Sequence, residues 1–228
     1  YNPEQHFIVT ANNRVVNDDY PYYITNEWRN GYRAQRIRDL LTSKGKLALS
    51  DMAMIQGDQY ALPAVEIVPH ILKIATEAPL EKAALDVLRA WDYVLRPDSA
   101  GAAIYMTLLG KLERLVFSAM LGGDEMLINT YLGAGTTILA LENSYSSRSR
   151  PLLIRLMNAH DDNWFINSAI PNGPKSWDAA IVHALHAAIE ELRDKLGDDI
   201  SRWKYGSIHK MTYSHVLSAL KPLDKIFN

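Results

Sequence analysis

Ser176-Trp177-Asp178-Ala179-Ala180-Ile181-Val182-His183-Ala184-Leu185-His186-Ala187-Ala188-Ile189-Glu190-Glu191-Leu192-Arg193-Asp194-Lys195-Leu196-Gly197 is the run that decides the fold. Trp177, Ile181, Ala184, Leu185, Ala188, Leu192 and Leu196 fall at steps of three and four, which is the spacing of one helical face. Ser176 has the short hydroxyl that caps a helix start. Gly197 is the residue that ends one. Pro171-Asn172-Gly173-Pro174 in front of it is turn chemistry.

Outward from this helix the same period repeats. Asn26 is the expected cap of a helix running to about Ser43, with Trp28, Tyr32, Ile37, Leu40 and Leu41 roughly on one side. Ser50 is the expected cap of a short helix from Asp51 to about Asp58. Val65, Val68, Ile71, Leu72 and Ala75 form the next stripe. Pro79 occupies a first-turn position ahead of Leu80, Ala84, Leu88 and Trp91. Asp98 or Ser99 caps a longer helix carrying Ile104, Leu108, Leu112, Leu115 and Ala119, and Gly122-Gly123 stops it. Asp124 to about Asn143 reads as helix weakened by Gly133 and Gly135. Ser144 to Ser149 reads as a surface linker, and Arg150-Pro151 as the opening of another helix. No fixed-period repeat is present.

The first 26 residues differ. Phe7-Ile8-Val9-Thr10 is a short β-prone run closed by Asn12-Asn13. Pro21 pushes Tyr20 out of the helical region, so the Tyr-rich stretch after it reads as extended loop. The expected architecture is mainly α: a multi-helix domain over 27–228, preceded by a strand and loop over 1–26.

Composition narrows the function. The chain has 228 residues, 48% hydrophobic and 22% charged, which is ordinary for a globular protein with a sizeable core. Lys+Arg 24 against Asp+Glu 26 gives a net charge of -2, which argues against nucleic acid as a partner. With Cys 0, disulfides, thiolate metal sites and cysteine nucleophiles are excluded within the chain. The weakly charged stretch Ala100 to Gly110 is too short to span a bilayer, so no membrane role is expected. Tyr1-Asn2-Pro3 is not a signal peptide. Both ends read as cut, so a piece of a longer or processed polypeptide is expected.

The chemistry-bearing residues are few. His183 and His186 stand at i, i+3 on the Ser176–Leu196 helix. With His209 they make a metallohydrolase one reading, and helix-surface histidines the plainer one. Gly133-Ala134-Gly135 follows a helix rather than a strand, so close packing explains it better than a dinucleotide site. Asp18-Asp19 sits in a loop that offers carboxylates to a hard cation such as Ca²⁺. Asp198-Asp199 reads as a cap ahead of Ile200 and Trp203.

One series is more specific. Thr10-Ala11-Asn12-Asn13-Arg14-Val15, Asp19-Tyr20-Pro21-Tyr22-Tyr23 and Trp28-Arg29-Asn30-Gly31-Tyr32-Arg33-Ala34-Gln35-Arg36-Ile37 stand in that order. Leu49-Ser50-Asp51-Met52 with Gln56 and Asp58, Leu88-Arg89-Ala90-Trp91-Asp92 and Trp203-Lys204-Tyr205-Gly206-Ser207-Ile208-His209 follow. The series resembles the penicillin acylase (penicillin amidase) family of N-terminal-nucleophile hydrolases. The resemblance implies an internal fragment of the large chain, with the helical insertion attached to a strand and loop from the αββα core.

It also implies autoproteolytic processing of a precursor, a periplasmic or secreted location, and hydrolysis of acylated amines such as penicillins, cephalosporins or acyl-homoserine lactones. No cofactor would be consumed. A structural Ca²⁺ would belong to the full enzyme, with Asp18 and Asp19 as the candidates here. The family's calcium aspartate lies just beyond the Tyr-Pro pair, where this chain has Ile24 and Thr25. Asn12 matches the oxyanion-hole asparagine and Arg33 the arginine that orients it. Arg36, at i+3 from Arg33, reads equally as a salt-bridged surface residue. The serine nucleophile would lie outside this chain, in the remainder of the precursor, and the isolated chain should be inactive. The non-enzymatic alternative is a helical protein-interaction domain.

Overall fold

The computed structural model describes residues 2–133, 146–166, 168, 170, 172–211, 217, 221 and 224–227. The helices are α1 (Tyr32–Thr42), α2 (Leu49–Gln56), α3 (Leu62–Ile71), α4 (Pro79–Ala90), α5 (Ala100–Met120), α6 (Glu125–Tyr131), α7 (Ser146–Ala159), α8 (Asn163–Ile166), α9 (Trp177–Leu196), α10 (Tyr205–Ile208) and α11 (Asp224–Phe227). A 3₁₀ turn at Ile200–Arg202 joins α9 to α10. The fold is mainly helical, as the periodicity implies.

The centre is α5 laid along α9, with α4 against both. Ile104, Leu108, Leu112 and Val116 of α5 are fully buried, as are Ala180, Leu185 and Leu192 of α9. The ends follow from local chemistry. The Ser99 hydroxyl accepts from the N–H of Ala102, and Ser176 accepts from Ala179. Pro79 begins α4, where a missing N–H costs nothing. Gly197 closes α9 at φ 85. Asp199 caps the 3₁₀ turn through the N–H of Ser201. The indoles of the buried Trp203 and Trp177 and the half-buried Trp164 find carbonyls: Trp203 donates to Gly197, Trp164 to Val116 and Trp177 to Asp161.

The structure departs from the sequence reading in six places. Residues 7–10 form no strand, because no partner chain segment lies alongside them among the described residues. A single parallel bridge, Asn13 to Arg29, stands in its place. Asn26 caps nothing. The Arg29 N–H already bonds the Asn12 carbonyl at 2.7 Å, so α1 starts after Asn30-Gly31. Ala48 rather than Ser50 precedes α2, because the Asp51 carboxylate reaches back to the Ala48 N–H at 2.8 Å. In α3, Ala64 and Ile67 face the core with Val68 and Ile71, whereas Val65 is exposed. Residues 146–149 are helical rather than linker, Ser149 is buried, and Pro151 lies inside α7. α6 stops at Leu132 and Gly133. Gly135, the rest of the run to Asn143, and Ser144 lie outside the described residues, as does Pro171.

Two glycines of α5 separate packing from propensity. A Cβ on Gly101 would stand 2.5 Å from Trp91 Cγ, whereas one on Gly110 would meet nothing within 4 Å. Gly101→Ala should therefore lower stability by about 1–3 kcal/mol through overpacking. Gly110→Ala should raise it by about 1 kcal/mol through helix propensity. Urea denaturation of both variants checks the pair, and equal signs would contradict the packing described.

Candidate functional site

The N-terminal segment and α1 meet at Asn12. Its backbone lies at φ 60, the left-handed region that asparagine tolerates better than most residues. Arg33, in the first turn of α1, donates from Nη2 to Asn12 Oδ1 at 2.6 Å and to the Ala11 carbonyl at 2.8 Å. A guanidinium has donors only, so it grips the oxygen end of the carboxamide. Among the described residues none accepts from Asn12 Nδ2. The Arg29 N–H on the Asn12 carbonyl fixes the backbone from the other side.

Asn12 lines a cleft of about 720 Å³ between the N-terminal segment, α1, the start of α3 and α5. One turn along α1, Arg36 donates through Nε and Nη2 to both oxygens of Asp58, at 2.8 and 2.7 Å, and lies 4.4 Å from the centre of the Tyr60 ring. The paired guanidinium holds the Asp58 carboxyl below the usual 3.8, against some opposing burial. Arg36 is therefore the ion-paired residue that one reading foresaw, and it also shapes the cleft wall.

The floor was not foreseen. Tyr105 of α5 is 2% exposed, and its hydroxyl has no hydrogen-bond partner among the described residues. Arg150 of α7 reaches the cleft with Nε 3.4 Å from Glu113 Oε1, a charge contact rather than a hydrogen bond. Burial pushes the Glu113 carboxyl up, and Arg150 offsets part of that. Burial, together with a hydrogen bond to Glu66, raises the Tyr32 phenol. One signal did exist in the sequence. Glu113 stands in the otherwise apolar row of Leu109, Leu112 and Val116, and an acid on a buried face requires a partner.

The remaining candidates are not brought together. Asp18 binds Arg14 at 2.5 Å and is largely exposed, and among the described residues Asp19 accepts only a long contact from Asn17. Among the described residues no cluster of His, Asp and Glu could hold a metal ion. His186 Nδ1 lies 2.9 Å from Glu81 Oε1, His209 stacks on Tyr205, and His183 is exposed, so the three do not converge.

The penicillin amidase family profile matches residues 1–228, the whole of this sequence. The chain belongs to the penicillin amidase family. It is 26% identical to the acyl-homoserine lactone acylase QuiP of Pseudomonas aeruginosa over 96% of this chain and 26% of the relative. It is 29% identical to the penicillin acylase 2 proenzyme of Pseudomonas sp. strain SE83, over 96% of this chain and 26% of that protein. A QuiP of Pseudomonas fluorescens strain Pf-5 is 28% identical over 93% of this chain and 27% of its own length. The chain thus spans about a quarter of the length of the curated relatives it matches. No helix among the described residues is long and apolar enough to cross a membrane.

The Arg36–Asp58 pair has a definite pH signature. Because the folded carboxyl lies below its unfolded value of 3.8, the pair's contribution is complete above that value and is lost as pH falls through the lower folded one. Asp58→Asn should cost about 1–2 kcal/mol at pH 7, since both groups are partly solvated. The difference from wild type should shrink below about pH 4, which thermal melts from pH 7 to 3 would follow. A difference that grew on acidification would contradict this assignment.

Proposed function

We propose that this chain is the portion of an amidohydrolase that supplies the oxyanion donor and one wall of the substrate cleft. The observation that carries the reading is the Arg33–Asn12 contact at the rim of that cleft. The substrates are N-acylated amines of the kind the relatives are named for: β-lactam antibiotics or acyl-homoserine lactones. The nucleophile is a serine in the remainder of the precursor, made N-terminal by self-cleavage.

In this reading the serine oxygen attacks the amide carbonyl while the serine's own α-amino group takes its proton. Negative charge develops on the carbonyl oxygen. Asn12 Nδ2 donates to that oxygen with no change in its own charge. Arg33 keeps the Oδ1 end engaged, so the donor end needs no reorganisation as charge appears. The remainder of the precursor, both the small chain and the nucleophile-bearing part of the large chain, is the partner. Ile8, Tyr22 and Tyr23 at 73%, 73% and 81% exposed offer that partner an apolar face on the N-terminal segment. The complete enzyme is assigned to the periplasm or the exterior of the cell.

In the full-length processed enzyme, Asn12→Gly keeps the left-handed backbone and removes the carboxamide, and Asn12→Asp keeps the shape but replaces donor by acceptor. Each should lower kcat about 10²–10³-fold. Loss of less than about threefold in both would remove Asn12 from the reaction. The 228-residue chain alone should hydrolyse neither phenylacetyl amides nor acyl-homoserine lactones, and robust turnover would refute its role as a part.

A further inference from the structure

The peptide groups on both sides of Asn12 are held from outside the tip that carries it. Arg33 donates to the Ala11 carbonyl at 2.8 Å, and the Arg29 N–H donates to the Asn12 carbonyl at 2.7 Å. Each bond fixes the direction of one rigid peptide plane, so together they set φ and ψ of the residue between them. An asparagine at φ 60 keeps that conformation when its surroundings hold it there. The Asn13 carboxamide also accepts from the Ala11 N–H at 3.0 Å, but that bond is internal to the tip.

Arg33 stands on α1. Arg29 stands in an irregular segment, so its hold on Asn12 is as firm as the seat of that segment. α7 supplies the seat. Arg148 donates from Nη2 to the Asn26 carbonyl at 2.7 Å, a bond between residues 122 positions apart. Trp28 lines a cavity of about 310 Å³ together with Pro151, Leu152 and Arg155 of the same helix. The turn that carries Arg148 is itself fastened: Ser149 beside it is buried, and Arg150 lies against Glu113 of α5. α7 as a whole packs on α3 and α5. A line of contacts thus runs from α7 through Asn26 and Arg29 to the Asn12 carbonyl, separate from the line through Arg33. Arg148 does not line the cleft in which Asn12 sits.

We infer that Arg148 is a positioning residue for the oxyanion donor, acting through the 26–29 segment and the Arg29 N–H to set the Asn12 peptide. The inference rests on the amidohydrolase reading above. A hydrogen bond from a guanidinium is among the stronger ties a carbonyl can accept. Without it the segment can shift while Arg33 still grips Asn12 Oδ1. The donor is then present but less well aimed, and a misplacement of about 1 Å is enough to slow a reaction. The loss falls on kcat, because a donor directed at developing charge adds little to binding of the ground state.

The test uses the full-length processed enzyme and Arg148→Met and Arg148→Lys, each alone and combined with Asn12→Gly. Steady-state kinetics are measured on whichever of a phenylacetyl amide and an acyl-homoserine lactone is turned over faster. Hydrogen–deuterium exchange is followed in peptides covering residues 26–31, α5 and α9. Arg148→Met should lower kcat about three- to tenfold, the scale of one hydrogen bond from a charged donor. KM should stay within about twofold. Exchange over residues 26–31 should quicken, while α5 and α9 stay protected. Arg148→Lys retains a donor and should recover part of kcat. In the Asn12→Gly background Arg148→Met should cost nothing further. Wild-type kcat in both Arg148 variants, with Asn12→Gly impaired, would overturn this inference alone. Losses that multiply in the double variant, or faster exchange throughout α5 and α9, would also overturn it. Wild-type kcat in Asn12→Gly would remove the oxyanion reading and the inference with it.

Discussion

The Arg33 guanidinium ties Ala11 and Asn12 of the irregular N-terminal segment to the helical body. Residues 7–10 have no ladder of backbone hydrogen bonds to fix them, and one isolated bridge cannot impose a direction. Arg33 supplies what a sheet would have supplied. It rises from the first turn of α1, a helix that rests on α3, which packs against α7, which in turn meets α5. Through the Ala11 carbonyl and Asn12 Oδ1 it transmits the position of that body to a residue whose backbone is already set in an unusual conformation. Because it only donates, it fixes which end of the carboxamide faces the cleft.

The body that Arg33 relies on is rigid for ordinary reasons. α5 and α9 bury long apolar stripes against each other, and the tryptophans at their margins satisfy their indole N–H groups on nearby carbonyls. The polar groups have been drawn to one side. Tyr32, Tyr105, Glu113, Arg150, Arg36 and Asp58 all lie along the cleft or behind it. Desolvation there raises both phenols and the Glu113 carboxyl, while Asp58 is held below its usual value because two guanidinium hydrogens meet it.

The sequence disclosed what depends on short range. α4, α5 and α9 were legible because Pro79, Ser99, Ser176 and Gly197 act on their own helix ends, and because their apolar stripes are long. α1 was misread at its start because a backbone bond from Arg29 to residue 12 competes with the helix, and no local pattern records it. Ser50 looked like a cap, but the Asp51 carboxylate reached the free N–H first. Residues 146–149 are rich in Ser and Arg, yet tertiary packing buries Ser149 and carries the helix through them. At the site, the Asn12–Arg33 pair was accessible only through the family resemblance. The Arg36–Asp58 pair and the Tyr105–Glu113–Arg150 floor join residues with no periodic relation, so no spacing rule points to them. Glu113 alone left a mark, as a carboxylate in an apolar row.

The central claim is that Arg33 acts through Asn12 and not independently of it. A double-mutant cycle on the full-length processed enzyme, Asn12→Gly with Arg33→Met, read in kcat on one neutral acyl amide, tests this directly. If the claim holds, Arg33→Met alone lowers kcat, and adding it to Asn12→Gly costs almost nothing further. Losses that multiply in the double variant would show two independent contributions and contradict the claim.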